Sequence, residues 1–233
     1  RHLGVHPIDT PFNDFDQVAD RISKLDGIVS VMPTVEGPVM ASSPLGAAGA
    51  LVRGIRASDL KKLKSVSGNV RDGSLDGFDN GDGVVLGRRL AENLGLIAGE
   101  KVTLIAPRGA STPFGTAPRV KSYRVLATIE VGMSEYDSTF AFMPLAEAQL
   151  FFNKENVVSA LEVMVADPDR MDDYKRAVEA AAGRSVFLVD WRQRNSTFFS
   201  ALQVERNVMF LILMLIVLVA ALNIVSGLIM LVK

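Results

Sequence analysis

The chain has 233 residues, 48% of them apolar, and a formal net charge of -1, which is ample for a sizeable core in one or two domains. No basic or acidic block lies behind that near-neutral balance, so the electrostatic footprint of a nucleic-acid binder is missing. Cysteine is absent, which excludes thiol catalysis, disulfides and cysteine-ligated zinc and leaves the redox compartment undecided.

His2 to Ile8 (HLGVHPI) reads as a strand. Asn13 then suits the cap of a helix whose apolar positions Phe15, Val18, Ala19, Ile22 and Leu25 recur at spacings of 3 and 4, with Gly27 as its stop. IVSVMPTVEGPVM is predicted as a strand broken or bulged near Pro33 and Pro38, and AAGALVRGI as another. From Ser65 to Gly83 the composition turns to Gly and Asp and loses its apolar residues, which marks a loop and a boundary. VVLGRRLAENLG follows as a short strand and helix, and GEKVTLIAP as a strand.

The next stretch, IAPRGASTPFGTAPRVKSY (Ile105 to Tyr123), separates two apolar strands by roughly a dozen residues, where hairpin loops usually take about 2 to 5. Pro107, Pro113 and Pro118 each fix a backbone angle, so an extended hairpin can stand out without a large entropic penalty on binding. Phe114, followed by Gly115, is an apolar anchor at the tip or a side chain packed back onto its own domain. Arg108, Arg119, Lys121 and Arg124 make the base locally basic.

A second strand–helix–strand unit closes the globular part. LEVMVA is a strand, Asp167 or Asp169 starts a helix with Met171, Tyr174, Val178 and Ala181 on one face, Gly183 stops it, and SVFLVD is a strand. The two units are expected to pack side by side as one split α+β sandwich of ferredoxin-like type around a mainly β insert. Beyond Asp190, DWRQRNSTFFSALQVERN keeps helical spacing, and Val208 to Val232 are 25 residues without a charge, enough to cross a bilayer. The segment is apolar on every face, unlike a core helix with its polar stripe, and it is terminal and too long for a signal-peptide core. A helix from Ser196 to Val232 measures about 55 Å, against about 30 Å of hydrocarbon, so part of it is a stalk. Arg192, Arg194 and Arg206 on one side against Lys233 on the other would place the globular part in the cytoplasm by a positive-inside count. Because the sequence begins at Arg1 without Met, it reads as a piece of a longer polypeptide on which that count is incomplete.

Motifs for chemistry are weak. GLIAGEK lacks the spacing and the Ser or Thr of a phosphate loop. DGSLDG from Asp72 resembles the start of a calcium loop, but position 12, where a bidentate Glu belongs, is Gly83. His2 and His6, the only histidines, are about 13 Å apart on a strand and unable to share a metal. No nucleophile elbow exists. Asp14, Asp16, Asp169, Asp172 and Asp173 fall at helix starts, where the macrodipole favours them. No catalytic residue and no metal site is expected.

VVLGRRLAENLGLIAGEKV and the closing DWRQRNSTFFSALQVERNVMFLILMLIVLVAALNIVSGLIMLV resemble the lipoprotein-releasing permeases of the LolC/LolE family, within the MacB/FtsX-type ABC permeases. The resemblance covers essentially the whole chain. It implies a Porter-like α+β subdomain over 1–58 and 136–190 and a Sabre-like insert over 59–135 with a protruding hairpin over 107–121. A stalk over 191–207 and a transmembrane helix over 208–232 complete that layout. It also implies a bacterial inner-membrane protein with its globular domain in the periplasm, against the charge count. The LolC-type hook, which captures a LolA-like lipoprotein carrier, matches Thr112, Pro113, Phe114, Gly115 and Pro118, with Arg119 and Lys121 at its base. STFAFMPLAEAQLFF (Ser138 to Phe152) is closer to LolE, so the chain mixes both marks. Further implied are lipoproteins as cargo, a LolD-like subunit carrying ATP and magnesium, and a second permease subunit, LolE-like or a second copy. The chain itself has no cofactor and is a transport subunit rather than an enzyme. A lipid-facing cavity would involve Met209, Phe210 and Leu213. The competing readings are a MacB-like efflux permease that docks to an adaptor and an FtsX-like regulator of a cell-wall hydrolase, neither of which carries the hook.

Overall fold

The computed structural model describes residues 2–8, 10–81, 83–107, 111–112, 115–194 and 196–232. Two compact units result, residues 1–188 and 189–233.

In the first unit, β1 (Leu3–Pro7) leads to α1 (Phe15–Ser23), whose spacing of apolar residues buries Phe15, Val18 and Ile22. Asn13 does not cap this helix. Asp14 holds the cap position, and its carboxylate accepts from Arg184 rather than from a helix N–H, so a long-range ion pair displaces the local cap. The 15-residue β2 (Ile28–Ser42) and β3 (Ala47–Ile55) follow, then α2 (Ala57–Lys62), α3 (Lys64–Ser67) and β4 (Val70–Gly73). Next come β5 (Gly83–Gly87), α4 (Arg88–Leu94), β6 (Lys101–Ala106), the short pair β7 (Ser111–Thr112) and β8 (Gly115–Thr116), and β9 (Arg119–Ile129). The unit continues through α5 (Ser134–Thr139), β10 (Phe140–Pro144), α6 (Leu145–Phe151), β11 (Ala160–Val165) and α7 (Met171–Ala182) to β12 (Val186–Asp190). Asp167 accepts from the N–H of Asp169 at 3.0 Å and caps the single 3-10 turn that precedes α7.

The strand order β12-β1-β11-β2, with α1 and α7 as the two crossovers, is the 4-1-3-2 order of a split βαβ sandwich, as the two strand–helix–strand units require. The remaining strands close on themselves. β2 pairs β3, β3 pairs β10, β10 pairs β5, β5 pairs β9, β9 pairs β6, and β6 returns to β2, a ring of six strands in which the β2 edge between Thr34 and Met40 is left unpaired. Of these six, β5, β6 and β9 lie in the expected insert 59–135, whereas β2, β3 and β10 lie outside it, so one sheet runs through the expected boundary. The alternation of Val102, Leu104 and Ala106 inward with Lys101, Thr103 and Ile105 outward along β6 is the period-2 signature of such a wall. One core cluster joins Met32 of β2 to Ile55, Leu60, Phe78, Val85, Ile129 and Phe142; fully burying each such side chain contributes about 1.5–3 kcal/mol.

β2 is not broken at its prolines. Thr34 accepts from the N–H of Ser159 at 2.8 Å and Glu36 donates its N–H to Ser159 Oγ at 3.2 Å, so even-numbered residues turn their backbone groups to the β11 edge. Pro33 therefore faces the other edge, where β3 pairs only from Val35 onward, and Pro38 faces the β11 edge in the gap between Thr34 and Met40. Each missing N–H falls on an unpaired edge, and the strand runs through at no cost in ladder bonds.

In the second unit, α8 (Trp191–Arg194) precedes α9 (Ser196–Val232), a single helix of 37 residues and about 55 Å. Its segment Gln203–Met230, whose most apolar 18-residue window has a mean hydropathy of 3.1, is long and apolar enough to cross a membrane.

Candidate functional site

β6 and β9 are antiparallel from Lys101↔Arg124 to Ala106↔Arg119, so the twelve residues 107–118 form the connection between the last rung and its return. Inside it, β7 and β8 make a second, smaller ladder with rungs Ser111↔Thr116 and Thr112↔Gly115. The register leaves two residues between the arms, Pro113 and Phe114, which lie outside the described residues along with Arg108. Thr112 and Gly115 thus form the last rung before the tip, and Pro118 is exposed at the foot of the return arm.

The base of this hairpin is anchored by residues the sequence reading did not single out. Lys121 Nζ and Tyr123 Oη both donate to Oε1 of Glu147, at 2.7 Å each, and the Lys121 ammonium stands 5.1 Å from the centre of the Tyr123 ring. Arg119 donates to the backbone carbonyl of Leu150. Both acceptors belong to α6, which lies directly on the ring wall. An added Cβ on Gly54 of β3 would come within 2.3 Å of the Ala148 Cβ, so only glycine permits this approach. Burial raises the Tyr123 phenol well above its ordinary value, and the Glu147 carboxylate beside it acts in the same direction. Two of the expected hook residues, Arg119 and Lys121, are therefore tied to α6, and Lys121 is about half exposed beside its partner. A Glu in the first turn of a helix opening after Pro144 reads as a helix-dipole residue, which is why Glu147 escapes a sequence search.

Other predicted positions are spread over the fold. Asp72 accepts from the N–H of Ala98 at 2.9 Å, and Ser74 donates to Asp76 at 2.7 Å, which makes the calcium-like segment a hydrogen-bonded turn. His2 Nδ1 lies 3.1 Å from the carbonyl and 3.2 Å from the amide nitrogen of Val165, and burial lowers its pKa. Among the described residues no group of His, Asp or Glu side chains could hold a metal ion. Met209, Phe210 and Leu213 are exposed on α9, as is nearly every large side chain of that helix, so exposure distinguishes none of them.

A buried charge cluster sits where β2 passes from one sheet half to the other. Arg53, 8% exposed, reaches Glu36 at 2.5 Å and Glu162 at 3.6 Å and lies over the Phe140 ring at 4.9 Å. Asp137, 3% exposed, accepts from the N–H groups of Val131 and Gly132 at 2.7 and 3.1 Å and fixes the turn after β9. Both clusters are structural: the Arg53 guanidinium is paired with carboxylates of β2 and β11, its buried Nε alone lacking a hydrogen-bond partner among the described residues, and Asp137 is held by two backbone N–H groups.

A family model described as the MacB-like periplasmic core domain matches residues 4–181. The chain is 30% identical to the lipoprotein-releasing system transmembrane protein LolC of Neisseria meningitidis, over 98% of this chain and 56% of that protein. It is 30% identical to LolC of Xylella fastidiosa, over 78% and 44%, and 25% identical to the lipoprotein-releasing system transmembrane protein LolE of Haemophilus influenzae, over 78% and 44%. The chain spans about half the length of the curated relatives it matches. Among solved structures it is similar to the periplasmic region of MacB from Actinobacillus actinomycetemcomitans, with a TM-score of 0.54 and 14% identity over 84% of this chain and 91% of that one. The extracellular domain of the noncanonic ABC-type transporter YknZ from Gram-positive bacteria gives 0.52 and 16% over 81% and 98%. At these identities the likeness concerns the fold alone.

Proposed function

The chain belongs to the family of the MacB-like periplasmic core domain, and from that premise we propose that it is the domain-bearing part of a LolC/LolE-type permease. In this reading it releases lipoproteins from the bacterial inner membrane and passes them to a soluble LolA-like carrier. The globular unit lies in the periplasm and Gln203–Met230 crosses the membrane. Residues 1–58 with 136–190 act as Porter and 59–135 as Sabre, the ring being shared between them. ATP and magnesium belong to a separate LolD-like ATPase, and a LolE-like subunit or a second copy completes the permease. The chain is a transport subunit, and its α9, with Met209, Phe210 and Leu213 toward the cargo, carries motion from the ATPase to the domain.

The observation that carries this reading is a hairpin built upon a hairpin. The rungs Ser111↔Thr116 and Thr112↔Gly115 form a second ladder within the β6–β9 connection, with Pro113 and Phe114 between them in the sequence, while Glu147 and the Leu150 carbonyl hold the foot. A proline-stiffened connection with a braced foot that carries Phe114 in its sequence is suited to enter a partner's pocket with little ordering cost. Relatives named as lipoprotein-releasing proteins support the carrier as that partner.

The test is capture of the purified carrier by the permease in nanodiscs. Phe114→Ala is expected to weaken capture by at least about thirtyfold, as for a buried aromatic anchor worth about 2 kcal/mol, and Pro113→Ala by less. Unchanged capture by both variants would remove the hook from the proposal. Lipoprotein release that proceeds at full rate with no carrier present would remove the proposal itself.

A further inference from the structure

The β2 edge between Thr34 and Met40, where β11 has ended and β6 has not begun, opens onto a cleft of about 500 Å3. Pro38 turns its nitrogen to this edge, so an added strand would find no N–H there. The occupant of the cleft is therefore not a β-strand. Its walls are apolar: Pro38, Ala106, Pro107 and the ring of Phe152. That ring is fixed on two sides. It packs edge-on against Phe151 at 5.1 Å, and it covers Gly37 so closely that an added Cβ would lie 2.4 Å from it.

One wall carries a cation. Lys154 is partly buried, and its Nζ donates to Ser159 Oγ, a neutral acceptor, at 2.8 Å. Among the described residues no carboxylate lies within ion-pair distance of it. The Glu36 carboxylate lines the same cleft but is held by Arg53 at 2.5 Å. A desolvated ammonium beside a rigid apolar wall is complementary to a single negative charge on an apolar body. We infer that this cleft binds an amphiphilic monocarboxylate, whose carboxylate meets Lys154 Nζ while its apolar part lies against Phe152, Pro38 and Pro107. The same chemistry is presented by a fatty acid and by a peptide ending in a large apolar residue. Burial lowers the Lys154 pKa, with the Glu36 field opposing, so a bound carboxylate raises it and reports occupancy at the site itself.

The experiment uses the full chain in nanodiscs, with 4-phenylbutyrate and its neutral counterpart 4-phenylbutanol as probes, followed on carbon-labelled lysine side chains by NMR. The acid is expected to bind at least about tenfold more tightly than the alcohol, the value of one charge-assisted hydrogen bond, and to shift the Lys154 titration upward. Lys154→Gln should bring that preference below about twofold and Lys154→Arg should restore it, while Gly37→Ala, by pushing Phe152 into the cleft, should weaken acid and alcohol alike. Octanoate binding above N-acetylphenylalanine identifies the lipid source, and the reverse identifies a peptide carboxyl end. Equal binding of acid and alcohol, or a preference that survives in a folded Lys154→Gln protein, overturns the inference.

Discussion

Glu147 holds the foot of the hairpin with one oxygen, and its two bonds are unequal in a way that can be measured. Tyr123 is 1% exposed, so its hydroxyl has no recourse to water, and the bond it makes to a carboxylate is charge-assisted. Such a bond contributes about 1.5–3 kcal/mol. The Lys121 side chain is 48% exposed beside a carboxylate that is 12% exposed, and an ion pair of this kind contributes about 0.2–1 kcal/mol. Glu147→Leu removes both and strands the phenol, so the expected loss is about 2–4 kcal/mol. The assay is urea unfolding of a chain shortened to residues 1–188, the compact unit, in a double-mutant cycle. Tyr123→Phe with Glu147→Leu should show a coupling of about 1.5–2.5 kcal/mol, unchanged in 1 M salt, where the Debye length is about 3 Å. Lys121→Met with Glu147→Leu should show less than about 1 kcal/mol, falling further in salt. A lysine coupling equal to the tyrosine one, or additivity of Tyr123→Phe and Glu147→Leu within about 0.5 kcal/mol, refutes the reasoning. In the carrier assay Glu147→Leu should also weaken capture, although it leaves Phe114 intact.

Arg53→Met removes the buried cation that faces the Glu36 and Glu162 carboxylates and should destabilise the shortened chain by about 3–5 kcal/mol in the same urea titration, whereas Lys24→Met, whose pair with Asp20 is well exposed, should change it by less than about 1 kcal/mol. Asp137→Ala removes the acceptor for the Val131 and Gly132 N–H groups, with an expected cost of about 1.5–3 kcal/mol and faster amide exchange at those two positions by NMR. Tyr123 gives a pH signature: with its folded pKa raised, the phenol stays neutral in the fold while the unfolded chain ionises above its ordinary value of 10.0. Stability contributed at Tyr123 is thus fully present below pH 10 and lost as pH rises beyond it, by up to about 1.4 kcal/mol per pH unit. Tyr123→Phe should remove that slope, read as the difference between the two proteins' unfolding free energies from pH 9 to 11.

The parts legible in the sequence are those whose cause is local. The two strand–helix–strand units announce themselves through period and stop residues, and the 4-1-3-2 sheet follows from having two of them. The overlong β6–β9 connection is legible from its length and prolines alone. Glu147 is not, because 24 residues separate it from Tyr123 and its type and place already have a local explanation in the helix dipole. Asn13 fails as a cap for the converse reason. Its neighbour Asp14 is drawn to Arg184, 170 residues away, and no window of sequence contains both. The prolines of β2 misled in the same way, since a missing N–H harms a strand only where a neighbour needs it, and neighbours are set by the sheet.

By itself the sequence determined the α+β class, the long apolar helix from Ser196 to Val232 and the overlong connection between β6 and β9, because periodicity, hydropathy and backbone restriction act within a few residues. Tertiary structure alone decided that β2, β3 and β10 join the insert's strands in a closed ring. It also decided that α6 settles against Gly54 to brace the hairpin and that Pro38, Phe152 and Lys154 enclose a cleft. Those outcomes depend on which distant backbone edges and side chains remain unsatisfied until the whole chain has folded, and no local property of the sequence encodes them.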